Sequence, residues 1–590
     1  MKKKLIKTII DLKSKDLDKR ELIFLGNHCN FFDYNKNKLI DNCNIEDKNW
    51  KKYDNFINDY DYLTKLHDKI LVSLVSSLNK FHNIDKQKNF WEIIIGPWLM
   101  TFCVNIFYKW KISQDFIYDE SICTEIDNDT KLAKPYSSVE NYKREINTEY
   151  YNQYLFSKIF LFLDQKKVSK IEIIQKKNED ITSLSHKNTN KKNSQRFQTY
   201  LKRLFFKIFS HLTKKNKVVI LRNYLGFINN LKLNLSLKQL PNFYQHNLNV
   251  ENLIKNKKRE NLKIFFKEDN LLESFLLSEI LNHIPESFLE KFDDILNKIK
   301  NFNLPLNPKK IFVTNFPYNT FLSFYLAMCK EKGSKIISAQ HGGCYGQYDR
   351  HWIEEFEIKI SDNFLTYGWI SRSNSEKTIP IGMLKQLDKN NQFSIKNKKN
   401  ILFIIRARSK YISKLDSGTR SNYKFDYLDN VFFLIENLNK KLKKNTKIRL
   451  RDTDLGWAEH PRFKKKFPDI RIDYGTSNIL KLMKSSKIVV STSLSTSYLE
   501  TLSMNIPTVV VTNFELEPVR IECKKYLDLL IDSKILHLNP NTAIAHLNSI
   551  YDNVENWWFD QKLQNNIKIF CEKYGKLNYN INNDLKKILY

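Results

Sequence analysis

At 590 residues the chain is too long for one ordinary hydrophobic core, so two large domains are expected. Hydrophobic residues make up 42% and aromatics 13%, which excludes a disordered chain. The formal net charge of +32 admits a polyanionic partner, but in a chain so rich in Lys, Asn and Ile it reads chiefly as compositional drift, and no RNP, zinc-finger or helix-turn-helix signature points to nucleic acid.

The opening MKKKLIKTIIDLKSKDLDKR has no apolar core, because Lys7, Asp11 and Lys13 interrupt it, and it is not read as a signal peptide. The eight cysteines are scattered, without CxxC or metal spacing; a reducing, cytoplasmic setting and no metal site are expected. Residues 21–26, ELIFLG, read as a buried strand. Residues 60–110 are helical in period, with Gly96-Pro97 as a break or kink. Their most apolar part, residues 93–108, is shorter than the ~18 residues of a membrane span and reads as a buried helix. Residues 167–217 look least globular, with a polar insertion near 175–200. Within YLKRLFFKIFSHLTKK, Leu201, Leu204, Phe205, Ile208 and Leu212 share a helical face, away from Lys202, Arg203 and Lys207. That pattern suits a core-facing helix, with the inner membrane surface as the second reading.

The second half is more legible. Strands are expected at 309–316, 335–340 and in the segments DNFLTYGW and KTIPIG, with a helix over 320–333 stopped by Gly333. The polar stretch 387–400 reads as a linker. Beyond it, strands alternate with helices of ten or more residues, which implies parallel βαβ units and ligands at the C-terminal ends of the strands.

Three segments carry candidate chemistry. In residues 485–511 a β-run ends in Ser491, Thr492 and Ser493, and a helix starts near Ser495 or Thr496, a ready anion site; a plain capped crossover is the other reading. In AQHGGCYG, His341 stands at a strand's C-terminal end, suited to general acid–base work or phosphate contact, and Gly342 and Gly343 permit close backbone approach. Arg406, Arg408, Arg449 and Arg451 lie near strand ends and suit phosphate, though at least one is expected to be surface charge. Weaker elements are Asn27 and His28 facing an acceptor, His460-Pro461, and Asp452-Thr453-Asp454, whose spacing suggests a metal site but whose position argues against one.

LETLSMNIPT resembles the donor-binding motif of GT-B glycosyltransferases, with Asn505 where Gly is usual. By that resemblance Ser493, Ser495, Thr496 and Glu500 hold the donor, Glu500 at its ribose. The QHGG block, LIFLGNHC, WEIIIGPWL and RLRDTDLGW are together similar to a group of bacterial transferases encoded with O-antigen and other surface-glycan genes, with related Gln-x-x-His-Gly elements in CDP-glycerol glycerophosphotransferases and in Kdo and sialic-type transferases. The resemblance spans nearly the whole chain. It implies an α/β, GT-B-like fold of two Rossmann-like domains with a helical N-terminal elaboration. Residues 1–385 would form the acceptor side, 398–560 the donor side and 561–590 C-terminal helices returning to the first domain. The implied activity is metal-independent glycosyl transfer from a nucleotide sugar to a glycan or lipid-linked glycan of the O-antigen, lipopolysaccharide or capsule. His341 would be the base, with Gly342, Gly343, Arg406, Arg408 and Arg451 assisting at the donor. No cofactor beyond the activated sugar is implied, and a peripheral contact at the inner membrane face is compatible. Glycerol- or ribitol-phosphate transfer from a CDP donor, sugar epimerisation and non-catalytic glycan binding are the alternatives.

Overall fold

The computed structural model describes residues 2–13, 21–33, 38–40, 53–127, 135–176, 213–241, 248, 250–302, 304–385, 387, 394–418 and 420–590. Residues 177–200 of the polar insertion, the amphipathic segment 201–212 and residues 388–393 of the linker lie outside them.

The first sheet contains β1 (Lys3–Ile6), β2 (Leu22–Phe24), then, past the hairpin β3 (Phe31–Asp33) and β4 (Lys38–Ile40), β5 (Ile122–Asp127) and β6 (Glu172–Lys176). It is wholly parallel, in the order β2-β1-β5-β6. The N-terminal elaboration is therefore α/β rather than helical alone. Within the stretch 167–217, which looks least globular, residues 172–176 form an edge strand that runs into the start of the polar insertion expected near 175–200. These strands are three to six residues long, too short for period-2 alternation to register.

A helical pair, Tyr53–His82 and Lys88–Gln114, separates this sheet from the next, and one apolar cluster runs from Leu5 and Ile122 through the pair to Ile311 and Ile336. Helix Lys88–Gln114 is long and apolar enough to cross a membrane, yet its most apolar window is entirely buried within the protein. A helix hydrophobic all round belongs in an interior. It does not break at Gly96-Pro97; Pro97 sits inside an unbroken helix, and the His67 Nε2 atom lies 3.1 Å from the Gly96 carbonyl there.

The second sheet, β7 (Val218–Leu221), β8 (Lys310–Thr314), β9 (Lys335–Ala339), β10 (Asn363–Thr366) and β11 (Thr378–Pro380), is parallel and ordered as it runs in the chain. The third contains β12 (Ile401–Ile404), β13 (Thr446–Arg449), β14 (Arg471–Asp473), β15 (Ile488–Ser491), β16 (Thr508–Val511) and β17 (Leu536–His537). Its order, β14-β13-β12-β15-β16-β17, reverses direction between β12 and β15, the doubly wound Rossmann topology. The second and third sheets form the GT-B-like pair. The C-terminal helices return to the second sheet: Lys576 N–H donates to the Tyr367 carbonyl at 3.1 Å, and Ile581, Leu585 and Leu589 pack with Val218, Ile220 and Phe312.

Candidate active site

In a doubly wound sheet, loops leaving the two strands at the reversal part company and open a crevice. Here those strands are β12 and β15. Arg406 and Arg408 follow β12, and Ser493, Ser495 and Thr496 follow β15. The Thr492 hydroxyl donates to the Ile404 carbonyl at 2.9 Å, so the two loops leave side by side. Helix Thr496–Ser503 starts at Ser495 with no capping hydrogen bond from the Ser495 side chain, so its first-turn N–H groups lack that partner.

The opposite lip is the loop after β9. Gln340 holds it: its Oε1 accepts from Trp369 Nε1 at 2.8 Å and from Tyr367 N–H at 3.0 Å, and its Nε2 donates to the Gly342 carbonyl at 2.8 Å. The loop then touches the helix start, where Gly343 N–H donates to Thr496 Oγ1 at 2.9 Å. A Cβ on Gly343 would lie 2.6 Å from the Thr496 nitrogen, whereas one on Gly342 would meet nothing nearer than 3.6 Å. Only the second glycine is a steric requirement. The two motifs, whose contacting residues are 153 positions apart in sequence, form one contact across the crevice.

His341 stands beside it. Its Nδ1 is 3.7 Å from Glu357 Oε2, and the Tyr345 hydroxyl, 3.3 and 3.4 Å from the two ring nitrogens, donates to the same carboxyl oxygen at 2.6 Å. Burial lowers the imidazole pKa to about 3, assisted by His351, Lys414, Arg222 and Lys143, so His341 is neutral, with an unprotonated ring nitrogen, at neutral pH. Burial pushes Glu357 the other way, up to about 8, against the opposing effects of Tyr345 and His351. The protonated Glu357 therefore sets no negative charge beside the neutral imidazole.

A stability test follows from Glu357. Between its ordinary pKa near 4.5 and about 8, the unfolded chain holds this carboxyl ionised while the folded chain keeps it protonated. Folded stability therefore falls as pH rises across that window, by up to about 1.4 kcal/mol per unit. Glu357→Gln removes this contribution. Its melting temperature relative to wild type is expected to climb from pH 5 to 8 in a melting series, and parallel curves would contradict the assignment.

Deeper in the same lip, Arg520 Nη2 pairs with Glu354 at 2.8 Å, and Glu354 also accepts from Gly346 N–H at 2.8 Å. Burial opposes a charge on His351, but Cys344 and Glu354 outweigh it and raise the pKa to about 10. His351 in turn overcomes burial to lower the Cys344 thiol.

The structure brings together His341, Gly342, Gly343, Arg406, Arg408, Ser493, Ser495 and Thr496. Both arginines already have carboxylate partners: Arg406 pairs with Glu517 and stacks over Tyr348, and Arg408 forms a two-pronged pair with Asp416 at 2.9 and 3.3 Å. Ser493 is buried and its carbonyl accepts from Ser495 N–H. Glu500 is held by Lys385 at 2.6 Å. Arg451 is exposed beside His460, whose Nε2 lies 2.8 Å from the Arg451 carbonyl, and Arg449 is bound to Asp473 at 3.0 Å. Asp454 accepts from three backbone N–H groups in its own turn. Asn505 has φ 54°, the left-handed conformation that Gly usually supplies there.

Sequence reasoning missed Gln340, Glu517, Asp416 and the cations around His341. Arg222, Asn315 and Tyr318 have φ of 40°, 48° and 63° at the ends of β7 and β8, and Lys143 lies 3.8 Å from the Tyr318 ring centre. Strain of this kind collects at functional sites. Nothing local in the sequence marks these residues.

The family model for the LIC12162 family transferases matches residues 4–589. The chain belongs to that family. Its members are transferases, so the crevice between the second and third sheets is the place to seek a transfer reaction. No curated protein matches. Among solved structures, the chain is similar to the wall teichoic acid polymerase TagF (TM-score 0.29, 11% identity, covering 50% of this chain and 82% of that one). It is also similar to a putative UDP-N-acetylglucosamine 2-epimerase from Listeria monocytogenes (0.32, 13%, 53% and 83%) and to the Thermobaculum terrenum O-GlcNAc transferase (0.34, 7%, 91% and 94%).

Proposed function

We propose that this transferase moves a sugar from a nucleotide-activated donor to a glycan or lipid-linked glycan acceptor of a bacterial surface polysaccharide. The carrying observation is the contact of Gly343 with Thr496, which sets a neutral histidine against an uncapped helix N-terminus at the reversal of a doubly wound sheet. The donor phosphates would lie on that N-terminus, with Arg406 and Arg408 beside them and the ribose near Glu500. As the glycosidic bond to the phosphate breaks, negative charge grows on the leaving group, and these protein groups rather than a metal would stabilise it. His341 would take the proton of the attacking acceptor hydroxyl. The acceptor would enter over the ends of β7 and β8. Tyr224, Phe227 and Ile228 are exposed apolar residues at that edge, where a peripheral contact with the inner face of a membrane would present a lipid-linked acceptor.

The test is thermal-shift binding against CMP, CDP, UDP, GDP and dTDP. One nucleotide is expected to raise the melting temperature, by the amount set by its concentration over its dissociation constant. Ser495→Ala, which loses only a hydroxyl contact to Ser497, is expected to weaken that response. No response to any nucleotide at millimolar concentration would overturn the reading.

A further inference from the structure

β7, β8 and β9 are neighbours in a parallel sheet and end on one edge, so Arg222 after β7, Asn315 and Tyr318 after β8 and His341 after β9 stand side by side. Arg222 is exposed, and its Nη1 donates to the Asn315 carbonyl at 2.9 Å. Lys143, half-buried on helix Val139–Glu145, lies 3.8 Å from the Tyr318 ring centre. Lys414 comes in from the loop after β12, close enough to act on both Lys143 and His341. Three segments far apart in sequence thus bring three cationic side chains to one histidine.

Among the described residues none of the three has a carboxylate partner. The nearby carboxyl groups are committed elsewhere: Asp416 to Arg408 and the Gly418 N–H, Glu140 to the Thr320 N–H and hydroxyl, and the protonated Glu357 to Tyr345. Cations gathered without a counter-charge repel one another. Burial and Lys414 bring Lys143 down to about 7, and burial and Arg408 lower Lys414 against the opposing effect of Asp416. An anion set among them would relieve this repulsion and return the proton to Lys143. An arginine guanidinium stays charged throughout, and its planar fork matches phosphate. Two ammonium groups beside it call for a ligand with more than one negative charge.

We propose that Arg222, Lys143 and Lys414 bind a pyrophosphate group of the acceptor, beside the hydroxyl that His341 deprotonates. This deepens the transferase reading and rests on it. The reacting hydroxyl then belongs to the sugar joined directly to that pyrophosphate, not to the far end of a long glycan. The exposed Tyr224, Phe227 and Ile228 follow Arg222 in the chain, so an apolar chain on the other side of the pyrophosphate has a surface to lie on. That pairing of charge and apolar surface favours a lipid pyrophosphate over a free sugar phosphate.

The test is melting of the full chain with inorganic pyrophosphate at constant ionic strength, in the presence of the nucleotide that stabilises it, so that the donor site is already filled. Wild type is expected to melt about 2 °C or more higher with pyrophosphate. Arg222→Gln, which gives up one exposed bond to a carbonyl, should lose at least half of that rise and keep the nucleotide response. Lys143→Met should do the same and serves if the arginine variant does not fold. Ser495→Ala should behave in the opposite way, keeping the pyrophosphate rise while its nucleotide response weakens. Geranyl pyrophosphate should reach the same rise at a concentration at least about 10-fold lower, because part of its chain leaves water; equal potency would overturn the lipid assignment. No pyrophosphate rise, a rise equal in wild type and both cation variants, or one lost only in Ser495→Ala would overturn the site. If no nucleotide binds but pyrophosphate still depends on Arg222 and Lys143, the anion site stands and the transferase reading, with the acceptor assignment, falls.

Discussion

Gly343→Ala is expected to lower the transfer rate at least about 100-fold, the scale for an ångström-size misplacement of a catalytic constellation. The new methyl group would stand 2.6 Å from the Thr496 nitrogen and 2.7 Å from the Ser495 carbonyl carbon and oxygen. All three are backbone atoms at a helix start, so no side chain can swing away. Either the loop after β9 retreats or the two lips separate. Retreat also lengthens the bond from Gly343 N–H to Thr496 Oγ1 and displaces His341, two residues earlier. Overpacking of this kind costs about 1–3 kcal/mol, so a modest fall in melting temperature should accompany the loss. Gly342→Ala is the matched control: its methyl would meet Tyr345 at 3.6 Å, an ordinary contact, and the rate should stay near wild type. If both variants retained full activity, the contact between the lips would have no part in the reaction.

His341→Ala should cost about 100- to 10,000-fold in kcat, the range for loss of a general base, while the nucleotide-induced thermal shift stays near wild type. The pH profile separates this role from a structural one. Activity through a base is lost as pH falls through its pKa, and that value is about 3 here. Wild-type kcat is therefore expected to show no acid limb from His341 between pH 5 and 7. A limb near pH 6.5 that vanished in the variant would mean that the imidazole is not desolvated in the working enzyme.

Much of the third sheet was legible because its signals are local. Runs such as Ile488–Ser491 and Thr508–Val511 are buried on both faces and read as unbroken apolar strands, and Ser495 before a helix is a familiar start signal. In the first sheet only Leu22–Phe24, inside ELIFLG, was legible. Lys3–Ile6 contains two lysines and Glu172–Lys176 three polar residues, so neither looks like a strand until its neighbours are in place. Lys4 and Lys7 are buried there only because Glu125, Asp11 and Thr124 receive them. Gly96-Pro97 misled for the complementary reason: packing on every side holds that helix together despite the missing N–H.

By itself, the sequence determined the family, the α/β class and the two motifs at strand ends, since each depends on residue types at fixed short spacings. Tertiary structure alone decided that these motifs touch, that Gly343 rather than Gly342 is sterically required, and that Arg406 and Arg408 enter the crevice while Arg449 and Arg451 do not. It also decided the protonation of His341 and Glu357. Those properties depend on burial and on charges brought from Lys143, Arg222, His351 and Lys414, and neither desolvation nor a field from distant segments is written in the residues on either side of a site.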